Sequence, residues 1–247
     1  MITFKAAVKN LFKLNTSYLH LLKKNRFAKN EKKVVKHDIF IITSCININN
    51  QEGYFIHNSN HLPEQRMAET IVGLLSVREY YPDAYIIFIE SSSITNEAKQ
   101  SIAPLINEFF EYNTESQIRI ARKHFNKGVP QFTAYLKFME VNNLNYYANT
   151  FHFLGGRYVL TGNVADSYKK RGSYFLYIPE NKDVSTRYFF TKEIKLAHII
   201  KPFRNTLYLA LLGISVEDVI YKFMPDVHKL NFIKIRGMIN GNDPVEE

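Results

Sequence analysis

Asp38-Ile39-Phe40-Ile41-Ile42-Thr43-Ser44 is a short apolar run closed by small polar residues. Four consecutive apolar side chains leave no polar face, so the run reads as a strand buried on both sides, as in a parallel sheet covered by helices. Just downstream, Pro63-Glu64 marks a helix start, because proline has no amide to lose in a first turn. That helix is expected to reach about Tyr81, with Met67, Ile71, Leu74, Leu75 and Val77 facing inward. Pro82-Asp83 stops it, and Ala84-Tyr85-Ile86-Ile87-Phe88-Ile89 repeats the buried-strand pattern, ending at Glu90-Ser91-Ser92-Ser93.

The same alternation continues. A helix is expected over 95–107, then a short strand at Phe109-Phe110-Glu111-Tyr112. Lys127-Gly128-Val129-Pro130 leads into a helix at 131–142, and the strand Phe151-His152-Phe153-Leu154 is broken by Gly155-Gly156-Arg157-Tyr158. Strands at 173–178 and 187–190 and helices at 191–211 and 215–224 complete the reading. Strands alternating with helices imply βαβ units, hence an α/β fold with a mainly parallel sheet flanked by helices. In such sheets ligands bind at the carboxyl ends of the strands. Thr43, Ser44, Glu90, Ser91 and the 155–158 turn are therefore the first candidates for a site.

Charge divides the chain. The formal net charge is +9, from 32 Lys+Arg and 23 Asp+Glu. Ten of the bases, Lys5 to Lys36, and only one acid, Glu31, fall in residues 1–36, so the remainder is balanced, with 22 of each sign. A nucleic-acid-binding domain usually spreads positive charge over a folded face; a neutral body argues against nucleic acid as a partner. Residues 1–36 also hold Phe4, Val8, Leu11 and Phe12, while Lys5, Lys9 and Lys13 recur at helical spacing. This basic amphipathic pattern suits an anionic membrane surface. A solvated or packed N-terminal helix is the alternative. The expected organisation is a basic helical segment at 1–36 and one α/β domain at 37–247.

Other classes are set aside by what the sequence lacks. A single thiol, Cys45, cannot make a disulfide framework or a cysteine-rich zinc site. No apolar run approaches the roughly 18–20 residues that span a bilayer, and no compact apolar signal stretch opens the chain. A cytoplasmic location, peripheral at a membrane through 1–36, is the expectation. Dinucleotide and Walker loops, a His-Glu-x-x-His helix and a Gly-x-Ser-x-Gly elbow are all missing. His57 and His61 lie in an Asn-rich loop without ligand spacing.

The order of strand-end motifs carries more. Glu64-Gln65-Arg66, Glu69-Thr70, Leu75-Ser76-Val77-Arg78, Pro82-Asp83-Ala84-Tyr85-Ile86, Glu90-Ser91-Ser92, Lys127-Gly128 and Gly156-Arg157-Tyr158 follow one another over roughly 40–165. This set resembles the nucleotide-binding half of GT-A-type (Rossmann-like) glycosyltransferases, and in particular a group of bacterial and large-virus sugar transferases. The sequence departs from that group's pattern at Glu69, where glutamine is expected, and at Pro130-Gln131, Phe153 and Gly155. The resemblance implies transfer of a sugar from a nucleotide-sugar donor to a glycan or lipid-linked saccharide. It implies donor binding by Thr43, Ser44, Arg66, Glu90, Ser91, Lys127, Gly156 and Arg157.

Many GT-A enzymes carry an Asp-x-Asp metal motif after the strand equivalent to 150–154. Gly155-Gly156-Arg157 stands there instead. The glycines allow close backbone approach, and arginine offers a permanently charged fork for phosphate oxygens. Arg157, with Lys127, Arg66 or Arg187, is expected to supply the positive charge, leaving a divalent metal open and no cofactor certain beyond the donor itself. For a general base, Glu217 or Asp218 at the start of the 215–224 helix is the candidate, against the plain reading of acids at a helix N-terminus. His228 is a further alternative, as base or late metal ligand. A non-catalytic sugar-nucleotide or glycan-binding module is the rival function; a basic-tailed nucleic-acid binder is disfavoured by the neutral body.

Overall fold

The apolar run at 39–42 is buried on both sides. In the computed structural model, which describes residues 33–47, 62–124, 126–179, 182–239 and 243–246, it lies within strand β1 (Val34–Ser44). The described elements continue with α1 (Pro63–Tyr80), β2 (Tyr85–Glu90), α2 (Asn96–Ile102), β3 (Glu108–Glu111), α3 (Ser116–Ala121), α4 (Gly128–Asn142) and β4 (Tyr146–Gly155). After a short β5 (Val159–Leu160) come β6 (Gly172–Ile178), β7 (Asp183–Lys192), α5 (Leu196–Leu211), α6 (Val216–Phe223), β8 (Val227–Leu230), β9 (Ile235–Ile239) and β10 (Asp243–Glu246). Most of the basic N-terminal segment, and His57 and His61, fall outside the described residues.

Seven strands form one sheet in the order β3-β2-β1-β4-β7-β6-β8. Only β7 runs against the other six. This is the expected α/β arrangement of a mainly parallel sheet flanked by helices. Because side chains alternate across a strand, β1 feeds two cores. Ile39 and Ile41 join Phe153, Phe189 and the helices α4–α6 on one face; Phe40 and Ile42 join Phe88, Phe190 and α1 on the other.

Several expectations shift. The first strand begins at Val34, paired with Tyr146, four residues before the expected run that opens at Asp38. Pro104 sits in a 3-10 turn at Ala103–Leu105, which ends the helix expected over 95–107 at Ile102. The helix expected from 191 starts at Leu196, because β7 keeps its ladder to β4 through the Lys192–Thr150 pair. Leu75 is 49% exposed, and α1 instead turns Thr70, Gly73, Leu74 and Val77 inward. The inward face is small there for a reason: a Cβ on Gly73 would sit 2.8 Å from the Tyr158 carbonyl oxygen. Helix α3 and the three-stranded β10-β9-β5 sheet were not expected.

One polar chain threads the core. His152 is fully buried and stacks on Phe40 with centroids 4.0 Å apart. Its Nε2 lies 2.9 Å from Asp38 Oδ1 and its Nδ1 2.8 Å from the Tyr188 hydroxyl. Tyr81 bonds Tyr188 and accepts from the Val164 and Ala165 amides. Those amides can only donate, which sets the directions: Tyr81 donates to Tyr188, Tyr188 to Nδ1, and neutral His152 donates through Nε2 to Asp38. Burial holds the His152 pKa down.

Candidate functional site at the strand ends

β2 lies on one side of β1 and β4 on the other, so the chain direction across the sheet reverses at β1. The carboxyl ends at such a switch point form the natural ligand crevice of an open α/β sheet. Here β1 ends in Thr43-Ser44 and β4 in Gly155, and Gly156 N–H donates to the Thr43 carbonyl at 2.8 Å. A Cβ on Gly156 would lie 2.9 Å from Ser44 Cβ and 3.1 Å from the Thr43 oxygen. Only glycine lets the turn cross the end of β1 this closely. The β2 end is stitched in too, with Ser91 N–H donating to the Ser44 carbonyl at 2.9 Å.

Arg157 follows that crossing, and Arg66 and Glu69 face it from the first turns of α1. Arg157 Nη1 is 3.7 Å from Glu69 Oε2, and this buried nitrogen makes no hydrogen bond among the described residues. Arg66 is almost fully buried, with Nη1 donating to the Cys45 carbonyl at 3.0 Å. Burial, followed by the nearby charge of Arg157, brings its pKa down to about 10. The Arg66 guanidinium therefore remains cationic at neutral pH. Two guanidiniums and an incompletely satisfied N–H group thus meet at the switch point, with the Glu69 carboxylate beside them.

Glu90, expected beside a nucleotide, is fully buried at the end of β2. Its Oε1 accepts from Ile46 N (3.1 Å), Ser92 N (2.8 Å) and Ser92 Oγ (2.5 Å), binding the loops after β1 and β2 together. Its Oε2 is left to the nearby Ser44 hydroxyl among the described residues, and burial raises the pKa of the carboxyl. Burial and the charge of Glu90 push the neighbouring Cys45 thiol up to about 11, so it is a thiol at neutral pH.

Lys127 immediately precedes α4 at the same end of the sheet. The helix start packs on α6, since a Cβ on Gly128 would lie 2.4 Å from a Val216 methyl, and Asn126 Nδ2 donates to the Ile214 carbonyl at 2.9 Å. Arg187 sits in β7 beside Gly155, its carbonyl 3.6 Å from where a Cβ on that glycine would be. Glu217 accepts from Thr186 Oγ1 at 2.7 Å on one oxygen and from Ser215 Oγ at 2.5 Å on the other. Both of its oxygens therefore serve the start of α6. Asp218, the next residue, lies outside that pair of bonds and close enough to help raise the Asp183 pKa, after burial.

His228 is placed elsewhere. It shares a sheet row with Tyr174, Phe190 and His152, three rows short of Gly155 and three strands beyond β4. It stacks on Tyr174 and donates toward the Arg171 carbonyl, 3.2 Å away. Arg122, which was not singled out from the sequence, spans the Ser91 and Asn47 carbonyls at 3.4 Å each. It follows the short α3, so counting residues at strand ends does not find it.

Among the described residues no three His, Cys, Asp or Glu side chains gather at one point, and the carboxylate nearest the β4 turn, Glu69, is already beside a guanidinium. No family model matches the chain, and no curated protein does. Similar solved structures include the galactosyltransferase LgtC in complex with donor and acceptor sugar analogues, at 11% identity over 78% of this chain and 72% of that one, TM-score 0.48. The mannosyltransferase Ktr4p from S. cerevisiae aligns at 11% identity over 91% and 78%, TM-score 0.46. Mouse xyloside xylosyltransferase 1 aligns at 10% identity over 80% and 85%, TM-score 0.43.

Proposed function

We propose that this chain is a glycosyltransferase that binds the diphosphate of a nucleotide-sugar donor with Arg157 and Arg66. The observation that carries the reading is Arg157 Nη1, a buried atom that makes no hydrogen bond among the described residues, 3.7 Å from Glu69 and near the buried Arg66 guanidinium at the switch point. In the transfer, an acceptor hydroxyl oxygen bonds to the anomeric carbon as the bond to the diphosphate oxygen breaks. The nucleoside diphosphate leaves with that electron pair. Guanidiniums already fixed where the negative charge grows lower this barrier by several kcal/mol without a metal.

The acceptor proton needs a base if the configuration inverts. With both Glu217 oxygens bonded to hydroxyls, Asp218 is the better placed of the two carboxylates, and Glu217 is a positioning residue for the start of α6. The acceptor class that fits the resemblance is a glycan or lipid-linked saccharide. The engagement of Glu217 also supports a second reading, a sugar-nucleotide-binding module without turnover.

Thermal-shift titration with a panel of nucleoside diphosphates, with and without divalent metal, tests both readings. Metal-independent stabilisation by one nucleotide, lost in Arg157→Ala, is the expected result. Donor consumption with product formation then separates transferase from module. No response to any nucleotide would sink the two readings together.

A further inference from the structure

The amino ends of β1 and β4 leave the sheet. Val34–Lys36 pair with Tyr146–Ala148, but β2 joins only at Ile39 and β7 leaves β4 at Thr150. A two-stranded ribbon therefore projects beyond the body. Its inner face is closed by Val34 and Tyr146, which belong to the core with α4. Its outer face is not: Val35 is 72% exposed and its register partner Tyr147 36%. Leu144 (56%) and Val141 (41%), at the end of α4, extend the apolar surface around the ribbon's tip.

The exposed charges on β1 and its lead-in are basic. Lys33, Lys36 and His37 are exposed on β1 and its lead-in, and Lys195 on the far flank. Asp38 is held by His37 and the buried His152. The acids lie to the sides: Glu193, whose amide donates to the Asn149 carbonyl, Asp83 before β2, and Glu108, which accepts from the Tyr146 hydroxyl. The chain enters this ribbon directly from the basic amphipathic stretch of residues 1–32, which holds eight Lys+Arg and one acid. Exposed aliphatic side chains, a tyrosine and a surrounding excess of lysine are the composition of a surface that meets anionic headgroups.

We propose that the β1–β4 ribbon tip, continuous with the basic N-terminal stretch, is a docking surface for an anionic lipid bilayer. It inserts Val35, Leu144 and Tyr147 at headgroup depth while the lysines neutralise the lipid charge. This holds whatever the chemistry of the strand-end site. The geometry has one consequence for that site: it lies at the other end of β1, ten residue steps or about 33 Å away. Docking by the tip turns the crevice toward solvent, so an acceptor must project far from the bilayer or be soluble.

Flotation of the full-length protein with phosphatidylcholine vesicles, with and without phosphatidylglycerol, tests the assignment. Binding is expected only to the anionic vesicles and weakens in high salt. Val35→Asp and Leu144→Asp, both at exposed positions, should leave Tm unchanged and lower partitioning about tenfold or more. Failure to bind anionic vesicles, or variants that bind like the parent, overturns the proposal. Variants that lower Tm without vesicle binding would show the N-terminal stretch packed on the ribbon, which also overturns it. So would a dimer by light scattering that the variants dissociate, which marks a second copy as the occupant.

Discussion

In the proposed function, Arg157 is the residue on which the chemistry turns. Arg157→Ala removes a fixed charge from the departing diphosphate, and turnover (kcat/KM) should fall by roughly two to three orders of magnitude. Arg157→Lys should recover little, because an ammonium lacks the planar fork; unchanged kinetics in both variants would remove the assignment. Glu90 is different in kind. Its two carboxylate oxygens are buried beneath the loops it ties, which makes it a brace of the site. Burial raises its folded pKa above the ordinary glutamate value of 4.5. Below that value the carboxyl is protonated folded or unfolded and burial costs nothing extra. As pH rises toward the folded pKa the unfolded state releases its proton first, and stability falls through that window. Glu90→Gln cannot ionise, so its Tm should gain on the parent as pH rises above 4.5. A difference that stays flat with pH would refute this.

At the scale of elements, the site depends on close approaches that only glycine allows. Gly128 lets α4 meet α6 at Val216, and a Cβ there would overlap both valine methyls, at 2.4 and 2.6 Å. Gly128→Ala should cost about 1–3 kcal/mol of stability. Val216→Ala removes the overlapping methyls, so the double variant should be more stable than additivity predicts by about 1 kcal/mol. Denaturant unfolding of the four proteins measures this coupling, and strict additivity would contradict the contact. These helix starts were partly legible in the sequence, because Pro63 and Lys127-Gly128 are local signals. Leu75 was misread as inward because apolar spacing cannot report that Gly73 must admit the Tyr158 carbonyl.

Across the whole molecule, the Asp38–His152–Tyr188–Tyr81 chain links β1, β4 and β7 to the end of α1 and the turn at Val164–Ala165. Burial lowers the His152 pKa below 6.5 in the folded state. As pH falls below 6.5 the unfolded state takes up the proton and the folded state does not, so stability declines on acidification. In His152→Gln that decline, read as Tm between about pH 7 and 5, should flatten. An unchanged slope would show that the histidine does not set it.

The local text of the chain was enough for the buried parallel strands, for their polar carboxyl ends, and for the concentration of charge in the first 36 residues. Each is written in consecutive residues, where burial on two faces or a run of lysines needs no knowledge of neighbours. The meeting of Arg157 with Arg66 and Glu69 is another matter. It exists because β4 pairs with β1 and α1 packs over that join, a pairing between segments about a hundred residues apart. The engagement of both Glu217 oxygens, the displacement of His228 and the projecting ribbon depend on the same long-range order. Contacts of that kind arise from which strand lies beside which, and no local pattern of residues encodes the choice.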